Sequence, residues 1–434
     1  CHARYRHRTA DRPLMTVQTN VQRSVAIIGS GMAGLAAAHG CRKKGWQVTL
    51  FEAQPAHGMD AHALALDGGL VDVPLRVMNP SAWSSVLALA AEVGVDTFPV
   101  NTFVSCSWPD QRTWFRSTRV PVLRWPMVGS WRYLNGDSLR LALGMRRLYR
   151  VSRSLDRLPR QMTVAELLQR EKFDPLFWRG LVLPLLTTIC TCEEQHLLAW
   201  PASQLLALLQ QILHGDGLVR LKGGTRALVQ ALAADLPRLS GSPVQSVCEQ
   251  GDKVRVQNAR GEGGLFDQVI IATQANQLDF LQGEHYQREK AVLGDIRFDR
   301  GELVVHRDLR FMPGHRRDWT ALNFRMDPAL EKVMFTVWVN AVEPTLQHAA
   351  PVLQTWNPEF EPEADSILAR VPLQRAVVHA GTAAVHQQLK RWHAEPGRRI
   401  FYCGSWAHDG VPLLESAVRS ANVVVERIAH GNRP

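Results

Sequence analysis

The sequence predicts an α/β protein in which a domain built on a parallel sheet is interleaved with a second, α+β domain. Three observations carry this. Ser24-Val25-Ala26-Ile27-Ile28 is a β-branched run ending in glycine, followed by helical periodicity over 32–44 and a second apolar run at 47–51, which makes one βαβ unit. Strand-like runs return at 244–247, 254–256 and 268–272, and the chain closes with a strand at 399–403 and a helix over 412–428. Between these blocks, 66–214 is rich in Trp, Arg, Pro and Leu with helical periodicity, while 286–394 holds further strands at 302–306 and 333–340.

At 434 residues the chain exceeds one typical core, so two domains are expected. The parallel-sheet domain is assigned to 15–65, 215–285 and 395–434, and the second domain to 66–214 and 286–394. Residues 1–14, polar, Arg-rich and without an apolar core, read as a disordered extension or tag ahead of Met15.

Composition narrows the partners. Apolar residues make up 46% and charged residues 21%, an ordinary globular balance. The richest apolar stretch, 181–190, is far short of the roughly 18 residues a membrane span needs. A net charge of +10 suits an anionic partner, either a phosphate-bearing cofactor or a lipid surface. No nucleic-acid module is present, so no nucleic-acid partner is expected. Seven scattered cysteines read as free thiols in the cytoplasm, and Cys190 and Cys192 are placed on a strand or loop without a CxxC redox spacing. His379, His386 and His393 recur every seven residues, too wide for a compact metal site, so no metal is expected.

The chemistry begins at Gly29-Ser30-Gly31-Met32-Ala33-Gly34, between the first strand and its helix. Gly29 permits the tight turn, Gly31 lets backbone approach a pyrophosphate, and Gly34 lets helix pack on strand. The helix start, with the N–H groups of Met32 and Ala33, offers unpaired donors and a positive dipole end. Glu52 closes the second strand, where a carboxylate accepts hydrogen bonds from ribose hydroxyls. The terminal block, Tyr402-Cys403-Gly404-Ser405-Trp406 and then Gly410 to Ala417, provides a second glycine approach and a second helix start. A helix start there stabilises the negative charge of a reduced isoalloxazine, which selects FAD as the dinucleotide.

On these motifs the chain resembles the flavin-containing amine oxidase and phytoene desaturase superfamily from about residue 24 to 428. It is similar in particular to bacterial amine-oxidase-like proteins associated with modified fatty-acid synthesis, through Val71-Asp72-Val73-Pro74-Leu75-Arg76, Lys222-Gly223-Gly224-Thr225-Arg226, Val305-His306-Arg307-Asp308 and Trp338-Val339-Asn340. The resemblance implies a Rossmann-like FAD-binding domain with an interleaved substrate domain. It also implies that Val244 holds the adenine through its backbone and that Gly58, Arg76, Gly404, Ser405 and Leu414 lie near the pyrophosphate or flavin. The chain departs from the pattern at His57-Gly58-Met59, where relatives carry Gly-Gly-Arg, and at Ser405, where many carry an acid. A counterpart of the flavin-facing lysine of amine oxidases is not evident.

The expected activity is oxidation of an apolar, fatty-acyl or isoprenoid substrate by hydride transfer to FAD. Amine oxidation and a non-redox role, as an isomerase or accessory protein, are the alternatives. His57, His62 and Trp406 are the catalytic candidates: the imidazoles for proton transfer or hydrogen bonding to the ring, the indole as a cap or pocket wall. The absence of GxSxG argues against a hydrolase. Residues 139–158 form a basic amphipathic pattern, with Leu141, Met145, Leu148 and Leu155 on one face and Arg146, Arg150, Arg153 and Arg157 on another. That pattern fits peripheral contact with an anionic membrane, and it fits equally a helix packed on its own core. Cys403 is a conceivable flavin attachment point. Oligomeric state is not legible.

Overall fold

The computed structural model describes residues 22–58, 62–119, 126–128, 135–153, 159, 161–190, 194–214, 217–379 and 381–431. The expected extension at 1–14, and Met59, Leu155, Arg157 and Cys192, lie outside them.

A five-stranded parallel sheet organises one part of the molecule. Its order is β10 (Arg238–Ser240), β2 (Gln47–Glu52), β1 (Ser24–Ile28), β14 (Gln268–Ile271) and β20 (Ile400–Tyr402). β1 shows why it is central. Val25 and Ile27 join the cluster beneath α1 (Met32–Lys43), while Ala26 and Ile28 join the cluster on the opposite face. A strand covered on both faces needs a continuous apolar run, which is what the sequence supplies. The first cluster holds α1 with α2 (Ser84–Glu92), α9 (Gly224–Ala233) and α12 (Leu414–His430). α1 and α12 approach closely because α1 is small on that side: a Cβ on Gly40 would stand 3.2 Å from Val425. The opposite cluster is formed with the meander β11 (Val244–Gln250), β12 (Lys253–Asn258) and β13 (Gly263–Phe266). It also contains Tyr286 and Leu293 of α10 (Glu284–Leu293) and Val385, Leu389 and Trp392 of α11 (Thr382–Trp392). The boundaries expected at 285/286 and 394/395 cut through this cluster, and the apolar faces of both helices seat them with the parallel sheet.

An eight-stranded sheet organises the other part. Its order is β19 (Ile367–Val377), β15 (Arg297–His306), β18 (Leu353–Trp356), β17 (Val333–Trp338), β16 (Leu322–Met326), β6 (Val104–Ser107), β7 (Thr113–Arg119) and β8 (Pro126–Val128). Two-stranded ribbons, β3 (Leu64–Leu66) with β4 (Gly69–Val71) and β5 (Thr97–Val100) with β9 (Leu218–Leu221), link the two parts.

One face of this sheet carries the helical region: α3 (Gly136–Ser152), α4 (Val164–Glu171), α5 (Pro175–Phe177), α6 (Leu183–Cys190), α7 (Glu194–Leu198) and α8 (Ala202–His214). α4 opens with a reciprocal capping box between Thr163 and Glu166. Cys190, expected on a strand or loop, ends α6 because the apolar run before it is helical. α3 turns Leu141, Leu148 and Val151 into the core, and Gly144 lies so close to Phe177 that a Cβ would meet its ring at 2.2 Å. No helix among the described residues is long and apolar enough to cross a membrane.

Candidate functional site

The glycine turn after β1 is shaped as its spacing requires. Gly29 adopts φ +100°, and its N–H donates to Phe51 O at 2.8 Å. Gly34 allows α1 to start directly over that turn, since a Cβ there would lie 1.9 Å from Gly29 O. Met32 and Ala33 bury their side chains, so only their backbone is available to a ligand. Gly31 is the N-cap of α1 and faces open space: a Cβ on it meets nothing within 4 Å. No side chain caps α1, and no acid stands in its first turn.

Glu52, at the end of β2, is the organiser of this cleft. Its Oε2 accepts from Ser30 N at 2.8 Å and from the Ser30 hydroxyl, and its Oε1 accepts from Gln54 N at 2.8 Å. The Ser30 hydroxyl in turn accepts from Gly58 N at 3.1 Å, which draws Gly58 onto the loop. Ser242 N donates to the Glu52 main-chain carbonyl, which ties the segment that leads into β11 and Val244 to the end of β2.

The His57 ring pairs with Arg238 through Nε2 at 2.8 Å, at the Glu52 end of the cleft, and His62 is exposed. Trp406 is largely buried and also borders the crevice beside Ser405. It is 3% exposed, its ring covers Gly404, and its Nε1–H donates to Thr273 O at 2.9 Å. Large aromatic residues in a strand-to-helix turn fill core volume, and here the indole N–H finds a carbonyl there.

At the carboxyl end, Gly404 N donates to Ser420 Oγ at 2.9 Å, tying the loop after β20 to α12. Ser405 lines a narrow crevice with Thr382, His386, His408, Gly410 and Pro412. His386 fixes this loop, with Nδ1 3.0 Å from Asp409 Oδ1 and Nε2 2.8 Å from Trp406 O. His393 accepts Tyr402 N at 3.1 Å. The histidines at 386 and 393 are thus fasteners of the last strand and loop. His285, Glu289 and Glu395 converge, but Arg398 binds Glu289 through both guanidinium nitrogens at 2.8 and 2.7 Å, so the positive charge this cluster attracts is already present. Cys403 is fully buried and burial pushes its thiol pKa up, so it offers no attachment point for a ring.

The four helices of the first cluster differ at their starts. Asp72 caps α9: its Oδ1 accepts from Thr225 N at 3.0 Å and from Thr225 Oγ1 at 2.8 Å. Glu415 leaves its own helix to cap α2, accepting from Ser85 N and Val86 N, each at 3.0 Å. α1 and α12 receive no side-chain cap, and Leu414 begins the latter. Of the two helix starts assigned from sequence to the cofactor, that of α1 has no acid in its first turn, while that of α12 holds Glu415, whose carboxylate is bound by the α2 start and by Arg419. This fits a dinucleotide whose diphosphate carries negative charge and whose ring gains it on reduction.

Asp72 also anchors a buried ionic network that spacing alone does not reveal. Arg220, 1% exposed, pairs with Asp72 at 3.2 Å and with Glu343 at 2.7 Å, and donates to Val342 O at 2.8 Å. Gln354 on β18 binds the same segment from below, donating to Asp72 O at 2.7 Å and accepting from Leu75 N at 2.9 Å. The 72–76 segment is thus held flat against the eight-stranded sheet.

That sheet presents an apolar row across seven strands: Phe115, Cys106, Phe324, Phe335, Trp356, Leu303 and Val371 pair in register. The helices cover one end of the row and the 64–75 segment covers the other. Phe335 packs against both clusters and, with Trp356, stays half-buried at the seam. Gly301 makes room for Trp356, because a Cβ there would meet its ring at 2.2 Å. Cross-strand register, invisible in a single sequence, is what assembles this wall.

Residues 32–291 match the protein family described as flavin containing amine oxidoreductase, more than half of the chain. The chain belongs to that family. It is an FAD-dependent oxidoreductase. The fold agrees with solved structures. Putrescine oxidase bound to putrescine is 15% identical with a TM-score of 0.64, covering 94% of this chain and 100% of that one. A CLA-producing fatty acid isomerase from P. acnes is 14% identical with a TM-score of 0.63, covering 93% and 98%. An oxidoreductase from Methanosarcina mazei is 13% identical with a TM-score of 0.64, covering 93% and 100%. No curated protein sequence matches the chain.

Proposed function

We propose that this family member oxidises an apolar substrate, a fatty-acyl or isoprenoid chain, held against the eight-stranded sheet. The observation that carries the proposal is the half-buried pair Phe335 and Trp356, side by side on neighbouring strands at the seam between two closed clusters. When bound, FAD supplies the hydride acceptor, with dioxygen or another oxidant restoring it. The chain's own part is to exclude water along the Phe324–Leu303 row and to set the substrate beside the 72–76 segment. Gly29, Gly31, Gly34 and the α1 start would hold the diphosphate, Glu52 the ribose, Val244 the adenine side, and Gly404, Ser405 and Leu414 the ring side.

An amine substrate is less well served. Its ammonium group needs a carboxylate or an aromatic cage, and the acids next to this segment, Asp72 and Glu343, are committed to Arg220 and Thr225. The non-redox alternative draws support from the fatty acid isomerase among the structural relatives. Anaerobic mixing of the holoprotein with long-chain unsaturated substrates separates the readings. Loss of the visible flavin band with a more oxidised product supports oxidation. An unbleached flavin with a shifted double bond would mean isomerisation.

Membrane contact is part of the proposal in altered form. The apolar side of α3 is used internally, so a lipid surface would meet the opposite stripe, Leu139, Leu143, Arg146, Arg150 and Arg153, with the two leucines 62% and 57% exposed.

A further inference from the structure

Strand alternation puts Asp299, Gly301 and Leu303 on one face of β15, and their partners in register, Arg375, Leu373 and Val371, on the same face of the sheet. Leu303 and Val371 lie in the cluster closed by the 64–75 segment, and Leu373 packs against it. The Trp356 ring covers Gly301. Val377, two residues beyond Arg375, belongs to the helical cluster instead and lines the crevice with Ser405 and Gly410. Val411, from the loop before α12, packs on that same cluster. Asp299 therefore stands between the aromatic wall and the carboxyl-terminal block assigned to the flavin ring, roughly 7 Å along the strand from Gly301.

Asp299 meets a histidine there. Leu197 is fully buried in the helical cluster and fixes α7, and the adjacent His196 sets its Nδ1 3.0 Å from Asp299 Oδ2. The two side chains keep 21% and 19% of their surface, so the pair borders open space. Among the described residues Nε2 of His196 has no hydrogen-bond partner. A carboxylate that accepts from Nδ1–H fixes the tautomer in which Nε2 is a base, and it offsets the charge once Nε2 takes a proton. We infer that His196, held by Asp299, is the catalytic base that takes the substrate proton. The inference rests on the apolar-substrate oxidation reading and supplies its missing proton acceptor. One C–H bond of the substrate gives its hydrogen and both electrons to the flavin. The electron pair of a second C–H bond becomes the new double bond, and its proton goes to Nε2 and then to solvent at the exposed edge of the ring.

The test uses holoprotein and linoleate, a diene whose central C–H bonds are weak. Diethyl pyrocarbonate labelling, read by peptide mass spectrometry, asks whether Nε2 faces the substrate. His196 should label in the unoccupied protein and lose most of that label when linoleate is bound, while exposed His62 labels equally in both. Anaerobic mixing then asks whether Nε2 takes the proton. His196→Gln should slow flavin reduction roughly 10²–10⁴-fold and keep linoleate affinity within about threefold. Asp299→Asn should slow it at least about tenfold. A His196 that takes no label, or keeps it with linoleate bound, would overturn the inference and leave the apolar reading intact, as would an unchanged reduction rate in His196→Gln. If linoleate does not bind, or binds without reducing the flavin, the oxidation reading fails and the base assignment with it.

Discussion

Two of the glycine turns that lead from a strand toward a helix have opposite fates. At Gly29-Ser30-Gly31 the helix start is left open: Gly31 faces empty space and α1 has neither cap nor acid. At Gly223-Gly224-Thr225 the start is sealed: a Cβ on Gly224 would stand 2.7 Å from Asp72 Oδ1, whose carboxylate already accepts Thr225 N. In sequence the two look alike. The difference is a carboxylate 153 residues away. A helix start becomes a site for an external anion only where the fold withholds an internal one.

Changes on the sealed side should act on stability, and changes on the open side on the cofactor. The largest expected effect is at Asp72. Asp72→Ala leaves Arg220 with a single acid and uncaps α9, and should cost about 3–5 kcal/mol, read as a lowered midpoint in chemical denaturation. Gly224→Ala comes next. Its φ of +65° and the Asp72 contact both resist a side chain, so about 1–3 kcal/mol should be lost, with FAD affinity of the remaining folded protein little changed. Gly31→Ala should do the reverse: apoprotein stability should hold within about 0.5 kcal/mol, while FAD affinity drops about tenfold or more as the methyl enters the cradle. If Gly31→Ala unfolds the protein and Gly224→Ala releases FAD, the contrast is wrong. Glu415→Gln gives the smallest effect, about 1 kcal/mol, because the amide still accepts from Ser85 and Val86 but no longer opposes the α2 dipole with charge.

The two regions also share an acid sensitivity. His393, beneath β20, has its pKa lowered to about 3, and His306, in the eight-stranded sheet, to about 4, in both cases chiefly by burial. Each accepts a backbone N–H, from Tyr402 and Asp308 respectively, that protonation would displace. Both folded values lie below the unfolded one, so the unfolded state binds more protons as pH falls. Stability contributed by these groups is whole above pH ~6.5 and is lost progressively toward pH 4 and then 3. Denaturation midpoints measured across that range should fall, and His393→Gln should flatten the lower part of the slope.

How much the sequence disclosed follows the range of the interactions. The first βαβ unit was legible because its determinants are local: Gly29, Gly31 and Gly34 at fixed offsets, Glu52 at the strand end. The parallel strands at 268–271 and 400–402 were legible because burial on both faces demands continuous apolar runs. The cap of α2 by Glu415, the Asp72–Arg220–Glu343 network and the Phe335–Trp356 wall were not legible, because each is made by cross-chain register or by partners more than a hundred residues apart in sequence. The role of Trp406 was not legible for a related reason: an indole beside a glycine turn has the same local sequence whether it faces a ligand or Thr273 O. The boundaries at 285/286 and 394/395 followed sequence blocks, whereas α10 and α11 are placed by the apolar faces they bury.

The account depends on the open start of α1, with the start of α12, receiving a flavin dinucleotide. Titrating FAD into folded apoprotein tests this directly. One equivalent should be taken up per chain, with the visible flavin spectrum perturbed and thermal stability raised, and with Gly31→Ala binding more weakly. Folded protein that neither carries nor takes up FAD would contradict it.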